Sequence, residues 1–161
     1  MATPDKMALL RDTTLSYLQS HHVVTLTTHG PLGVWAAAVF YVNDGFTLYF
    51  LSSPASRHSQ DIEATHRVAA TIQEDTQDWR AIKGIQLEGR AERISGEEQA
   101  HALLRYGQKF PLVGNLAVAP VEIAKAMSRI AWYKITPERL FFVDNSRSFG
   151  HRDEVPLQDK H

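Results

Sequence analysis

The sequence contains no cysteine among its 161 residues. This absence excludes disulfide bonds, cysteine-based zinc sites and thiol nucleophiles, and it fits a cytoplasmic protein. An excess of one charge is also lacking, because 17 lysines and arginines stand against 18 aspartates and glutamates. The chain therefore has no basic surface of the kind that attracts nucleic acids or anionic membranes, and we expect neither as a partner.

Long apolar runs are missing as well. The longest run covers residues 34–42, far short of the roughly 20 residues that a membrane-spanning helix needs. The N-terminus has neither the charged nor the apolar region of a signal peptide. The length and the 43% hydrophobic content instead predict one globular cytoplasmic domain over residues 1–161, with a loose polar tail from about residue 152.

Alternating apolar residues predict seven short strands, with helices near the start, near the middle and near residue 100. The predicted strands cover residues 23–28, 34–42, 46–51, 68–72, 85–94, 130–135 and 139–143. Strands that follow one another without long helices between them favour an α+β fold with an antiparallel sheet or small barrel. The second strand is apolar on both faces and leads into a hairpin at Asn43-Asp44-Gly45, so we expect it to be central or lined by a ligand.

Helix starts are marked by proline at the first helical position. This signal occurs at Thr3-Pro4, before a helix over residues 5–21, at Ser53-Pro54, before a helix to about residue 64, and at Ala119-Pro120. Ser95 and Glu98 have the spacing of a capping box. The helix behind them would bury a stripe formed by Ala100, Leu103 and Leu104.

The segment between the third strand and the second helix carries the clearest sign of a binding site. It reads Leu51-Ser52-Ser53-Pro54-Ala55-Ser56-Arg57-His58. Hydroxyls, the free backbone N–H groups of a helix N-terminus and two potential cations converge there, and this combination suits an anion. An arginine can also hold phosphate oxygens through two parallel hydrogen bonds. The pattern is compatible with a phosphate site, and an ordinary capped helix with an exposed arginine is the alternative.

Common catalytic motifs are absent. The sequence contains no P-loop, no dinucleotide-binding glycine motif, no nucleophile elbow and no zinc-protease motif. No metal site is predicted either, because the carboxylate–histidine pair Glu63 and His66 lies on a single short helix.

Five segments of the chain occur in a characteristic order. They are residues 34–42, Gly45-Phe46-Thr47-Leu48-Tyr49-Phe50, Ser56-Arg57-His58, His66-Arg67-Val68-Ala69-Ala70-Thr71-Ile72 and Lys83-Gly84-Ile85-Gln86-Leu87-Glu88-Gly89-Arg90-Ala91. Together they resemble the pyridoxamine 5′-phosphate oxidase-like family of FMN-binding split barrels. The resemblance covers about residues 20–145, and around Trp79 and Asp144-Asn145 it is greatest to a small bacterial branch of that family.

The resemblance implies an antiparallel split β-barrel with flanking helices, which forms a homodimer and binds FMN in clefts between the subunits. The second strand would lie beside the flavin ring, where three alanines permit close approach. The Ser-Arg-His motif would hold the phosphate, and Trp79 and Trp132 are candidates to cover a ring face. The implied cofactor-binding residues are Ala36, Ala37, Ala38, Val39, Phe40, Tyr41, Leu51, Ser52, Ser56, Arg57, His58 and Lys83.

The sequence departs from pyridoxamine oxidases at four positions. Ala36 and Tyr41 stand where those enzymes have arginine and lysine, His58 replaces a lysine, and Gly84 replaces a glutamine. The basic C-terminal pattern that binds the phosphate of pyridoxamine 5′-phosphate in those enzymes is also missing. Arg147, His151 and Arg152 are the nearby basic residues that could take its place. The resemblance therefore implies the fold and the cofactor but not pyridoxamine oxidase activity.

Three functions stay open at this point. The first is an FMN-dependent oxidoreductase with a small molecule as substrate or electron donor. The second is a non-catalytic protein that carries flavin for storage or sensing. The third is a split barrel that binds haem or a deazaflavin instead. No catalytic residue is assigned, because a flavin carries out the redox chemistry itself.

Overall fold

The computed structural model describes residues 3–111 and 120–158. In chain order the elements are α1 (Pro4–Ser20), β1 (Val23–Gly30), β2 (Gly33–Phe40), β3 (Val42–Asp44), β4 (Thr47–Ser52), α2 (Arg57–Thr65), β5 (Arg67–Gln73), a 3₁₀ turn (Trp79–Ala81), β6 (Lys83–Ile94), α3 (Gly96–Lys109), α4 (Val121–Met127), β7 (Ala131–Asp144) and β8 (Arg152–Glu154). Among the helices within these two ranges, none is long and apolar enough to cross a membrane.

All eight strands join one antiparallel sheet. The neighbours run β2-β1-β5-β6-β7-β4-β3, and β8 pairs with the outer part of β7. The sheet curls until β2 contacts β4, so one face encloses the core. The predicted α+β class and the antiparallel pairing are confirmed.

The last two predicted strands form one long strand, β7. The proline lies next to a bulge in β7, because Glu88 of β6 pairs with Arg139 and Gly89 pairs with Pro137, which leaves Glu138 out of the register. Gly89 lies opposite Pro137, and a Cβ atom at Gly89 would come within 2.2 Å of the Thr136 carbonyl oxygen. A residue with a side chain would clash with this backbone, so glycine permits β7 to continue past its proline.

The second predicted strand is not central. It divides at Tyr41 into β2 and β3, and β2 is an edge strand that pairs with β1 alone. Val34 on β2 is 72% exposed and Phe40 is 57% exposed. The apolar pattern on both faces of this strand therefore does not reflect burial within one chain.

The main core fills the concave side of the sheet, where α1 closes it with Tyr17 and Leu18. A second, smaller cluster lies between α3 and the β4–β7 part of the sheet. Its buried members are Val42, Tyr49, Ile94, Ala102, Tyr106 and Trp132.

The predicted buried stripe of α3 is wrong. Leu104 is 64% exposed, and Ala100 and Leu103 are exposed as well, whereas Ala102 and Tyr106 face the sheet. The capping box is also not formed, because the Ser95 side chain makes no cap hydrogen bond. Glu98 instead accepts hydrogen bonds of 3.0 and 3.2 Å from Lys134 of β7. Tertiary packing and this ion pair therefore orient the helix.

The other helix starts differ in how well they were predicted. Thr3 caps α1 as expected, with its Oγ1 accepting from the Lys6 N–H. Helix α2 begins later than expected, at Arg57, with Ser56 rather than Ser53 as its N-cap. Helix α4 follows Pro120, and the predicted start at Ala119 lies outside the described residues.

The polar tail is ordered beyond residue 152, contrary to expectation. Strand β8 pairs with β7, and Val155 behind it is only 2% exposed because it joins the main core. The Val155 N–H also donates a 2.8 Å hydrogen bond to the Leu140 carbonyl. The pairing with β7, together with the burial of Val155, thus holds a segment whose composition is otherwise typical of a loop.

Candidate functional site

A cluster of hydroxyls and one imidazole lies where β4 ends and α2 begins. Strand β4 places Ser52 at its last residue, and the first turn of α2 brings Ser56, His58 and Ser59 to the same point. The His58 Nε2 atom lies 2.6 Å from Ser52 Oγ and 3.1 Å from Ser56 Oγ. The two serine oxygens are 3.2 Å apart, and Ser56 Oγ also donates to Ser59 Oγ at 2.8 Å. The structure thus brings together three residues that the sequence proposed for phosphate binding.

Burial disfavours a positive charge on His58. The side chain is buried, and this burial lowers the pKa of His58 from its ordinary value of 6.5, although the nearby Asp61 carboxylate opposes the shift. Asp61 is itself buried and accepts a 2.8 Å hydrogen bond from Thr28. Around neutral pH the imidazole is therefore mainly neutral. Its Nε2 forms a hydrogen bond with Ser52, and the tautomer of the ring decides which of the two atoms is the donor.

Arg57 connects α2 to the turn between β1 and β2. Its Nη2 donates to the Leu32 carbonyl at 2.8 Å and approaches the Val34 carbonyl at 3.4 Å. The guanidinium also lies 4.7 Å from the centroid of the Trp35 ring. Its Nε is buried and has no hydrogen-bond partner. A buried donor without a partner is uncommon, and a negatively charged oxygen would satisfy it.

The six proposed residues of the flavin strand differ in their exposure. Burial alternates along β2, so Ala36, Ala38 and Phe40 are exposed while Ala37 and Val39 are partly buried. Tyr41 is fully buried beyond the end of β2, and its hydroxyl donates a 2.7 Å hydrogen bond to the Leu18 carbonyl. Burial also raises the pKa of Tyr41. The strand therefore offers a ligand small side chains and a free backbone edge, while the Tyr41 side chain belongs to the core.

Lys83 lies at the opposite end of the sheet from the serine cluster. Ser52 pairs with Ala131 at the start of β7, whereas Lys83 pairs with Asp144 at its end. At about 3.3 Å per residue, these positions are roughly 40 Å apart along the strand. Within one chain, Lys83 therefore lies remote from the serine cluster. The remaining proposed residue, Leu51, is partly buried against the second core cluster.

The aromatic candidates also differ in position. Trp132 is buried in the second cluster, where its ring meets Tyr106 edge-on at 5.4 Å, so it is a core residue. Trp79 is 45% exposed at the Lys83 end of the sheet and contacts Phe149. Of the two tryptophans, Trp79 has a ring that remains accessible to a ligand or partner.

The basic C-terminal candidates are held by neighbouring side chains. Arg147 and His151 each lie 2.9 Å from the Asp153 carboxylate, and Arg152 donates to Gln86 at 3.3 Å. The Asp153 carboxylate offsets the positive charge of Arg147, whereas the Gln86 amide is uncharged and does not offset that of Arg152.

Sequence reasoning missed three contributors to the cluster. Ser59 follows the cap residue Ser56 by three positions, so a correct choice of cap would have found it. Trp35 and Leu32 contact Arg57 across more than 20 residues of chain. No local pattern indicates such a contact, because it depends on how α2 packs beside the β1–β2 turn.

Comparison with known proteins identifies the family. The sequence profile of the family described as pyridoxamine 5′-phosphate oxidase matches residues 10–144. A UPF0306 protein of Klebsiella pneumoniae is 32% identical over 138 residues, which cover 84% of this chain and 86% of that protein.

Solved structures share the fold. A haem-binding protein from Mycobacterium smegmatis superposes with a TM-score of 0.70 at 23% identity, covering 98% of this chain and 60% of that one. HutZ, the haem storage protein from Vibrio cholerae, superposes with a TM-score of 0.66 at 19% identity, covering 82% of this chain and 93% of that one. The curled antiparallel sheet is thus a split barrel, and the chain belongs to the pyridoxamine 5′-phosphate oxidase-like family.

Proposed function

We propose that this chain is an FMN-binding oxidoreductase that acts as a cytoplasmic homodimer on a small molecule. The observation that carries the proposal is the buried, unpartnered Nε of Arg57, the residue that follows the cap residue Ser56 at the N-terminus of α2. Hydroxyls, a guanidinium N–H and the positive end of a helix together match the terminal phosphate of FMN. Family membership supports the cofactor, and the absence of cysteine fits the reducing cytoplasm.

Each residue of the cluster would have a distinct task. Ser52 would turn its hydroxyl proton towards the phosphate oxygens, Ser56 would turn its own away from Ser59, and Arg57 would donate from Nε. A phosphate dianion would favour the protonated imidazole, so His58 would take up a proton as FMN binds. The bound flavin would supply the electron transfer, and the protein would supply position and electrostatics.

A second copy of the chain would complete this site. Lys83 and the accessible Trp79 lie at the end of the sheet remote from Ser52, and a two-fold arrangement can bring that end of one chain to the α2 end of another. The exposed apolar residues of β2 favour such a contact, because a bare apolar edge strand invites pairing or packing.

Val34→Glu tests the homodimer. A charge at this exposed β2 position should convert a dimer to a monomer in light scattering, and it should weaken FMN binding at the same time. Leu104→Glu places the same charge on exposed α3 and should change neither property. A wild-type chain that is monomeric at micromolar concentration would overturn the homodimer.

Mass spectrometry of the ligand released from freshly purified protein tests the cofactor. FMN in the released fraction, together with flavin absorption of the intact protein, is the expected result. Reduction of the bound flavin by a nicotinamide donor, followed by steady turnover, would separate an oxidoreductase from a flavin carrier. Recovery of a deazaflavin would retain the fold but replace the proposed cofactor.

Haem is the second candidate ligand. Two solved structures that share the fold are a haem-binding protein and a haem storage protein. In this chain His22 and His29 are exposed near the two ends of β1, where an imidazole could reach a haem iron. A Soret band on haem titration that His22→Ala or His29→Ala abolishes, with no FMN binding, would favour haem over FMN.

A further inference from the structure

Two aromatic rings are exposed at the Lys83 end of the sheet, remote from the serine cluster. Phe149 is 81% exposed, and the accessible Trp79 ring lies beside it. The two ring centroids are 5.7 Å apart and the ring planes meet at 66°, so the two side chains form an open corner, which we call the aromatic corner. Single exposed apolar residues are ordinary on a protein surface, whereas adjoining ones often mark a binding surface.

A buried asparagine holds the two rings in this arrangement. The Asn145 Nδ2 donates to the Trp79 carbonyl at 3.0 Å, and its Oδ1 accepts from the Gly150 N–H at 3.1 Å. The Asn145 backbone N–H also donates to the Ile82 carbonyl at 3.0 Å. One residue thus ties the 3₁₀ turn that carries Trp79 to the loop that carries Phe149. The aromatic corner is therefore preorganised, and a ligand does not have to order it first.

The two arginines nearest to these rings in the chain have carboxylate partners. The Arg80 Cζ lies 4.8 Å from the centroid of the Trp79 ring, and its Nη1 lies 3.8 Å from Asp78 Oδ1. The Arg147 Nη1 lies 2.9 Å from the Asp153 carboxylate. An ionic ligand would gain little from such paired and solvated charges. The surroundings therefore favour an uncharged ligand.

The size of the aromatic corner favours a small molecule over a protein. Its apolar surface consists of the two rings and the exposed Ile82, and it is bordered by the exposed hydroxyl residues Ser146 and Ser148. A stable protein–protein contact buries about 800 Å² on each partner, more than three side chains offer. A planar ring can instead stack on the exposed face of Phe149 and contact Trp79 with its edge.

We propose that the aromatic corner is a binding site for an uncharged, planar aromatic molecule. Stacking on Phe149 and edge contact with Trp79 supply the affinity, and Asn145 is the positioning residue. The site does not depend on which cofactor the chain binds. Only its use as a substrate site rests on the proposed function, because a second copy would have to bring the flavin to this end of the sheet.

Menadione is the probe, because it is an uncharged, planar quinone and the chain has no cysteine that it could alkylate. Its binding to the full-length protein is measured by equilibrium dialysis, with and without excess FMN. We expect Phe149→Ala and Trp79→Ala each to raise the Kd by about three- to tenfold, and Phe149→Tyr to keep the wild-type Kd because it retains a ring. Leu104→Ala removes an exposed apolar side chain from α3 instead and should leave the Kd unchanged.

A charged analogue tests the class of ligand. A naphthoquinone sulfonate adds a negative charge to the same ring system and should bind no more tightly than menadione, so tighter binding of the sulfonate would refute the preference for an uncharged ring. An unchanged Kd in Phe149→Ala would overturn the proposal. Binding that excess FMN abolishes would overturn it too, since the probe would then occupy the cofactor site. Absence of saturable menadione binding would end this proposal but not the proposed FMN site, which FMN binding itself tests.

Discussion

Arg57→Ala should separate two roles of one side chain, in the fold and in phosphate binding. In the fold, the variant loses the 2.8 Å hydrogen bond to the Leu32 carbonyl and the stacking on Trp35. A hydrogen bond from a charged group contributes about 1.5–3 kcal/mol when buried and less when partly exposed, as here, and an exposed cation–π contact contributes about 0.5–1 kcal/mol. We therefore expect a loss of about 1–2 kcal/mol in the free energy of unfolding, which corresponds to a Tm about 3–6 °C lower for a chain of this size.

The effect on the cofactor should be larger. If the Arg57 Nε donates to the FMN phosphate, its removal deletes a charge-assisted hydrogen bond from a buried donor that has no partner within the described residues. The expected loss is about 2–3 kcal/mol of binding free energy, or roughly 30- to 150-fold in Kd. Arg57→Lys should recover only part of this loss, because an ammonium lacks the planar fork of donors.

Two assays distinguish the roles. Thermal melts of FMN-free protein report the fold, and quenching of flavin fluorescence on titration reports binding. Arg57→Met serves as the control, since it keeps an unbranched stem against Trp35 but donates no hydrogen bond. An unchanged Kd in Arg57→Ala would refute the phosphate role even if the Tm falls. An unchanged Tm would refute the contribution assigned to the Leu32 hydrogen bond.

Three further predictions concern stability. Burial lowers the pKa of His58 below 6.5, so the unfolded chain binds more protons than the folded chain as the pH falls below that value. The urea concentration at the unfolding midpoint of FMN-free protein should therefore decrease as the pH is lowered from 6.5. The decrease should be smaller in His58→Gln. Gly30→Ala should cost about 1–3 kcal/mol in urea melts, since its Cβ would lie 1.9 Å from the buried Asp61 Oδ1; a melt equal to the wild type would contradict this packing. Ala102→Glu should unfold the protein at lower temperature while Leu104→Glu should not, and the reverse order would mean that α3 presents its other face to the sheet.

Local signals predicted the fold well where one short segment decides the structure. The Thr3-Pro4 pair fixes the start of α1 because the capping oxygen and the proline act on the first turn alone. The strict alternation from Ile85 onward gives β6, since a half-buried strand needs only a period of two. Local reasoning failed for α3, whose orientation depends on the ion pair between Glu98 and Lys134 of a distant strand.

In the candidate site, too, some features could be predicted from local sequence and others depend on tertiary packing. Ser52, Ser56 and His58 lie within seven residues, and the turn from β4 into α2 brings them together as the sequence suggested. The protonation state of His58 could not be predicted, because it depends on burial by the whole sheet. The contact between Arg57 and Trp35 likewise arises only when α2 packs against the β1–β2 turn.

Strand β2 explains why an apolar pattern can mislead about position. Apolar residues on both faces are typical of a central strand, yet β2 lies at the sheet edge with Val34 and Phe40 exposed. Apolar residues are expected on every surface that a strand buries in the assembled protein, including surfaces between chains. An exposed apolar edge would promote non-specific pairing, and natural proteins normally protect such edges with charge, proline or a covering element. Along Gly33–Phe40 the strand has no charged residue and no proline, so we infer that a second copy covers it. The same two-fold contact would carry Lys83 to the serine cluster, which lies a strand length away within one chain.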